Sequence, residues 1–412
     1  MKRKRIVALM LAVMMSLNTV MPAYATENEI NESAEMNNFI EKDDSVKMDD
    51  SSEVNETEES NYIETEQLLN EDDFIATGTY GENIEWTLDS EGVLSINGSG
   101  EMPHLYDVFK QGWSDYLEDI KKVIISEGIT SIGGYAFAGC FYLECVELPK
   151  GIIKIEENAF RYCEALREIS LPNEVTSIGD YAFEGCIELT SVGKSESLVE
   201  IGAYSFYSCS KLSSVYFPNS LERIGKHAFL CSGVQNIVLP DGITRIEEYT
   251  FASCVNLTSI RLPNTLTYIG AGAFEDCESL ESLVLPNGLE SIEAYTFKNC
   301  SALQQVVLSD DITTIGQYSF QNCSALKTID FPDTLVTIEK YAFENSGIET
   351  LNIKNTIETI GEKAFYRCSQ LHSLVFDCGV ENLSLDIFAE CVNLKNVSMT
   401  GDITYAQTGL FE

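Results

Sequence analysis

Phenylalanine recurs along this chain at positions 137, 160, 183, 206, 229, 251, 274, 297, 320, 343, 365, 388 and 411. Ten of the twelve intervals are 23 residues and two are 22, so the chain is a repeat array before it is anything else. Other columns keep the register. Five residues before eleven of these Phe stands an isoleucine, from Ile132 and Ile155 through Ile338 and Ile360, usually followed by Gly or Glu. A small residue, mostly Ala as in Ala136, Ala182 and Ala273, precedes the Phe. Three residues after the Phe stands a cysteine in ten copies: Cys140, Cys163, Cys186, Cys209, Cys254, Cys277, Cys300, Cys323, Cys368 and Cys391. Seven of the nine prolines (149, 172, 218, 240, 263, 286 and 332) follow the segment Leu-x-x-(Ile/Val)-x-(Leu/Phe). Proline donates nothing to a sheet ladder and so marks the end of each strand.

The unit reads L-x-x-I-x-L-P-x-x-(L/I)-x-x-I-G-x-Y-A-F-x-x-C-x-x. One copy cannot enclose a core, but stacked copies bury continuous ladders of Leu, Ile and Phe. Twenty-three residues are too few for two packed helices with their turns, and Gly and Pro interrupt every copy. Each coil is therefore expected to carry a short parallel strand about 4.8 Å from the next, giving about twelve coils and a solenoid on the order of 60 Å long. The Phe ladder should dominate stability, because each buried ring hides roughly 150 Å². The two 22-residue intervals coincide with Cys231-Ser232-Gly233-Val234 and Asn345-Ser346-Gly347-Ile348, where a residue is deleted just after the Phe and Gly supplies a tighter turn.

With its recurring I-G-x-x-A-F-x-x-C-x-x-L pattern, the unit resembles the BspA-type leucine-rich repeat of secreted and surface proteins, over residues of about 120 to 412. The resemblance implies a right-handed leucine-rich repeat superhelix with a parallel strand in each coil of residues 122–412 and short convex turns. Residues 74–121 resemble the segment that precedes such repeats. There 81–88 and 92–98 read as two strands joined at Asp89-Ser90-Glu91-Gly92, a β-hairpin N-terminal cap over the open edge of the first coil. The last coils depart from the pattern, with Leu383 in place of Ile and Asp386 in place of Tyr.

Upstream, Lys2, Arg3, Lys4 and Arg5 precede an apolar run to about Met15, and Ala23-Tyr24-Ala25 offers small residues at a cleavage site. Residues 1–25 thus read as a signal peptide, with an apolar run too short to span a bilayer, and the mature chain as extracellular and without a membrane span. Residues 26–73 hold 18 acidic residues against Lys42 and Lys47 and lack Gly, Pro and Cys, the composition of a disordered acidic spacer. The net charge of the whole chain is −39. The signal's +4 and the spacer's −16 leave −27 of it on residues 74–412. Such a surplus of acid argues against nucleic acid as a partner, since phosphate binding needs a basic face.

The cysteines invite a disulfide or metal reading. Ten of thirteen occupy one column beside the Phe ladder, with Cys231 as its equivalent in the shortened coil, so they read as a buried stack of free thiols. Cys145 and Cys378 lie off the ladder and are the ones expected to react. His227 takes the slot held elsewhere by Tyr135, Tyr181, Tyr204, Tyr249, Tyr295, Tyr318 and Tyr341, as a member of a surface aromatic row. His104 and His372 are isolated. No nucleophile motif, phosphate loop or metal-ligand spacing is present, so no catalytic residue, cofactor or metal is expected. The clear break in the array, Gly193-Lys194-Ser195-Glu196-Ser197, supplies no catalytic group either.

In leucine-rich repeats the residues flanking the central Ile or Val of L-x-x-I-x-L point out of the concave sheet. Here that face offers Ser214, Asn236, Ser259, Ser282 and Gln305 on one side of the buried column, and Tyr216, Val238, Arg261, Val284 and Val307 on the other. Of the twenty-four such positions only Glu147, Glu168, Arg261 and Asp330 are charged. A hydroxyl and amide row beside an apolar row has the composition of a recognition surface. The same residues also simply suit strands, and both readings stand at this stage. The resemblance implies adhesion or protein binding at a surface, with host matrix or a cell-wall component as the partner class. The alternative is an accessory module that positions another secreted protein or a glycan, with a hydrolytic enzyme third.

Overall fold

The computed structural model describes residues 74–106, 110–377, 382–383 and 386–399. The expected signal peptide and acidic spacer, Cys378 and Phe411 lie outside the described residues. Within them each repeat forms one coil of a parallel β-solenoid of about twelve turns, and almost no helix is present.

Most coils carry two strands where the sequence reading expected one. The first is the Leu-x-x-Ile segment. Asn236–Val238, for instance, lies parallel to Ser259–Arg261, with Ile237 opposite Ile260. The second is two residues long and ends on the Ile column: Lys154–Ile155, Ser177–Ile178, Glu200–Ile201 and Arg223–Ile224 pair in succession, Ile on Ile. A two-residue strand is too short to show alternation, so the column announced its burial and not its pairing. Between the two strands the prolines close turns, as where the carbonyls of Pro172, Pro218, Pro240 and Pro263 accept from the amides of Val175, Leu221, Ile243 and Leu266.

The turn carrying the Phe forms a third ladder. The amides of Tyr204, Phe206 and Ser208 donate to the carbonyls of Lys226, Ala228 and Leu230 in the next coil, and the pattern recurs along the array. This geometry needs a left-handed residue two before and two after each Phe. Before it stand Tyr135, Asn158, Tyr181, Tyr204, His227, Tyr249, Tyr295, Tyr318, Tyr341, Lys363 and Asp386, all at φ between 53° and 62°. After it stand Gly139, Gly185, Asp276, Asn299, Asn322 and Asn345 among others, the residue types that tolerate this region best. Tyrosine is a costly occupant, and stacking offsets the cost: the rings of Tyr181 and Tyr204 lie 4.8 Å apart, Tyr295 and Tyr318 5.3 Å, and Tyr318 and Tyr341 5.0 Å. On the other side of the Phe the side-chain amides form their own ladder, Asn345 donating to Asn322, Asn322 to Asn299 and Asn299 to Asp276, at 2.6 to 2.9 Å.

The Phe rings themselves run as one stack, from Trp113 on Phe137 at 5.5 Å through Phe365 on Phe388 at 5.3 Å. From Cys163 to Cys391, nine thiols of the cysteine column each donate to the carbonyl of the Phe one coil back, at 3.1 to 3.2 Å. The twelve described cysteines are all free, ten of them buried. Burial pushes most of the thiols up, Cys254 to about 12, whereas a hydrogen bond from Cys368 lowers Cys391 at the end of the column. In the native protein a thiol reagent is expected to label Cys145, which is exposed, while the nine buried sulfurs from Cys140 to Cys368 label only after denaturation. Rapid labelling of the whole set in the native state would contradict the buried ladder.

The shortened coils differ from the sequence expectation in a specific way. Cys231 is not the column residue: it holds the left-handed position after Phe229, at φ 56°, and is half-buried. Ser232 takes the column, buried with its hydroxyl 3.4 Å from the sulfur of Cys254, and Ser346 does the same against Cys368 at 3.3 Å. The deleted residue therefore follows the column. Gly233 and Gly347 close the gap so tightly that a Cβ would stand 2.2 Å and 2.0 Å from the carbonyl oxygens of Ser210 and Ser324.

His227 also corrects its expectation. It does belong to the aromatic row, lying 4.5 Å from Tyr204 and 5.1 Å from Tyr249, but it is buried rather than on the surface. Burial holds its imidazole down at about 4, with Glu248 opposing and Lys226 adding to the shift. The unfolded chain takes up this proton near pH 6.5 and the folded chain only near 4. Stability is thus unaffected above about 6.5 and falls as the pH drops from there toward 4, by roughly 2–3 kcal/mol at pH 4.5. Denaturant melts at pH 7.5 and 4.5 should show His227→Tyr losing less stability on acidification than the wild type by about that amount. Equal losses would place the acid sensitivity elsewhere.

At the N-terminal end the antiparallel hairpin of Ile84–Asp89 and Val93–Gly98 is present, with a further antiparallel strand, Phe74–Thr79, on its outer edge. Val93–Ile96 then pairs in parallel with Lys122–Ile125, so the hairpin's second strand also begins the coil ladder. Trp113 completes this divergent coil by occupying the Phe position at the head of the ring stack.

Candidate functional site

The Leu-x-x-Ile strands place their central residues inward and both flanks outward. Ile237, Ile260, Leu283 and Val306 are buried, and Asn236, Ser259, Ser282, Gln305 and Ser214 are exposed beside them. In the opposite row Val238, Val284 and Val307 are 59%, 65% and 43% exposed, far beyond what an isolated strand valine needs to be. Val238 is the register partner of Arg261 and Val284 of Val307, and the two pairs lie side by side. The structure thus brings four of the five residues of the expected apolar row into succession.

The polar row is partly locked. Asn236 accepts from Ser259 at 2.6 Å and from Thr258 at 3.2 Å, which fixes its amide orientation. Tyr216 stands one coil before Val238, where the sheet is interrupted and a single bridge, Ser191 to Ser214, remains. Its hydroxyl donates to the Glu196 carboxylate at 3.0 Å, and that bond, with some burial, holds the phenol above its ordinary value. The Lys194 ammonium lies 4.7 Å over the ring.

Glu196 and Lys194 were missed as members of this face, although the sequence carried a signal. Lys194 occupies the column that holds Leu171, Phe217 and Leu239 in neighbouring coils. A lysine cannot enter the core there, so it turns outward onto Tyr216, while Ser195 is buried and donates to the carbonyls of Asn173 and Val175. The break in the array therefore contributes to the face by pinning its aromatic residue. At the other end the row runs into a hollow lined by Gln305, Val307, Thr328, Asp330 and Asp333, with Lys354 paired to Asp333 at 2.6 Å.

Among the described residues no group of three or more His, Cys, Asp or Glu is placed to hold a metal ion, and no helix is long and apolar enough to cross a membrane. What the face offers is apolar area, hydroxyl and amide groups and one guanidinium.

Parallel coils, an inward Leu, Ile and Phe core and an outward strand face define a leucine-rich repeat solenoid. The chain belongs to the family described as the BspA type leucine rich repeat region, whose model matches it in six copies over residues 115–232, 222–318 and 290–412. Among solved structures it is similar to a leucine-rich repeat protein of Bacteroides ovatus, at 24% identity over 78% of this chain and 99% of that one, with a TM-score of 0.53. It is also similar to a leucine rich cell surface protein of Faecalibacterium prausnitzii (22% identity, 80% and 96% coverage, TM-score 0.38) and to the pneumococcal vaccine antigen PcpA (17%, 80% and 88%, TM-score 0.45). No curated protein sequence matches the chain.

Proposed function

We propose that this chain is an extracellular, non-enzymatic binding protein that uses its Leu-x-x-Ile sheet to hold a protein or another surface macromolecule. The observation that carries the reading is the row Val238, Arg261, Val284 and Val307. On a chain of net charge −39, solvent-exposed aliphatic side chains lie in consecutive register with a single charge among them. Exposed apolar rows of this kind mark contact surfaces. The extracellular assignment rests on the basic, apolar and small-residue pattern of residues 1–25. Host matrix or a cell-wall component is the partner class suggested by the family resemblance.

The test begins with affinity isolation from matrix and cell-wall fractions on the full chain. The isolated partner is then titrated against a variant carrying Tyr216→Ala, Arg261→Ala and Val284→Ser together. Because all three side chains are exposed, the melting temperature should hold within about 2 °C while affinity falls at least tenfold. Unchanged affinity with an unchanged melting temperature would reject this face.

A further inference from the structure

Among the described arginines Arg261 and Arg167 make no ion pair, and of the two only Arg261 lies in the outward row of the strand face. Arg161, Arg223, Arg245 and Arg367 each pair with a glutamate, at 2.6 to 3.3 Å. Arg261 makes no side-chain hydrogen bond and no ion pair among the described residues, on a chain with 65 acidic residues to choose from. It is exposed, with Val238 as its register partner on one side and Val284 on the other. A guanidinium left unpaired between two exposed valines is a fork of donors set in an apolar strip, matched by a carboxylate that arrives with aliphatic neighbours and excludes water around the pair. A second copy of the chain fits poorly, because its matching face presents another arginine.

We infer that the strand face recognises an acidic protein segment, in which an Asp or Glu side chain flanked by aliphatic residues forms a bidentate pair with Arg261 while its neighbours pack on Val238, Val284 and Val307. This inference rests on the sheet face being the binding surface and adds the chemistry of what it binds.

The test pans a library of random twelve-residue peptides displayed on phage against the full chain and against Arg261→Glu. The wild type should enrich peptides with Asp or Glu next to Val, Ile or Leu, and Arg261→Glu should enrich Lys or Arg in that place. Selected peptides should bind about tenfold or more weakly to Arg261→Ala, with Arg261→Lys recovering part of the loss because it restores charge without the fork. Enrichment without an acidic residue, no enrichment, or binding indifferent to Arg261 would overturn the inference. So would stronger Arg261-dependent binding of an oligogalacturonate, which would make the occupant a uronic-acid glycan. Val284→Ser with Val307→Ser separates the two levels. Peptides that lose affinity to the valine variant but not to Arg261 variants leave the face standing and sink the carboxylate pair. Peptides indifferent to both sink the face as well.

Discussion

Replacing Phe274 by Ala should cost about 3–5 kcal/mol and split the unfolding of the array into two transitions. The ring is fully buried and stacks on Phe251 at 5.8 Å and on Phe297 at 5.7 Å, so truncation empties one rung and ends two ring contacts at once. In a globular core the surroundings would partly close over such a gap. A solenoid coil is held in register by three backbone ladders and cannot collapse along the axis, which places the cost toward the upper part of that range. The array is also quasi-one-dimensional: each coil touches only its neighbours, and cooperativity depends on every interface being strong. Weakening one interface near the middle lets the N-terminal coils melt apart from the C-terminal ones. Guanidinium denaturation followed by circular dichroism should show one sigmoid for the wild type and two for Phe274→Ala, while Phe274→Leu, which keeps most of the volume, should lose only about 1–2 kcal/mol. A loss under about 1 kcal/mol for the alanine variant would show that the Phe column is not the element that couples the coils.

That result depends on a feature the sequence displays openly, because the thirteen Phe positions alone define the period. The Ile, Cys and Pro columns were legible for the same reason: a residue repeated every 23 positions must do the same job in every coil. What stayed hidden was backbone conformation. The left-handed turn positions flanking each Phe carry Tyr, Asn, Ser, Gly, Arg and Glu in different coils, and no single residue type marks them. The tyrosine column reads as a surface aromatic row until its φ values show that the backbone needs a reversal there and stacking compensates. Cys231 misled for a related reason. Its identity matched the thiol column, whereas the contact of the Ser232 hydroxyl with the Cys254 sulfur and the close approach of Gly233 to Ser210 decide that Ser232 is the structural equivalent.

The candidate face was legible as a list but not as a surface. The outward positions followed from the strand pattern, and the register pairs put Val238, Arg261, Val284 and Val307 in succession. Tyr216 depended on the irregular coil before it. A break in a repeat usually reads as lost structure, yet here Lys194 leaves the core column and Glu196 supplies the acceptor that fixes the phenol. Repeat arrays hide function in such departures, because only a position released from the packing constraint is free to serve the surface.

The second large effect is expected at the opposite kind of position, the end of the stack. Trp113 is fully buried, lies 4.8 Å from Tyr80 and 5.5 Å from Phe137, and donates its indole N–H to the Ala136 carbonyl at 2.9 Å. Trp113→Ala uncovers one face of the first Phe ring and leaves a buried carbonyl without its donor, for a local cost of about 3–5 kcal/mol. Because the damage sits at a terminus, it should not divide the array. Hydrogen exchange should instead lose protection around residues 122–141 while the amides of Gly316 and Glu339, bonded to Ile292 and Ile315 in mid-array coils, stay protected. Trp113→Phe keeps the stacked ring and loses only the hydrogen bond, so its cost should be near 1 kcal/mol. The chain's only tryptophans are Trp86 and Trp113, 6.1 Å apart in the cap, so fluorescence reports this end alone while circular dichroism reports the whole solenoid. In Trp113→Ala the remaining Trp86 signal should therefore melt at lower denaturant than the dichroism. Coincident transitions would mean that Phe137 closes its own end of the stack and that Trp113 is packing, not a cap.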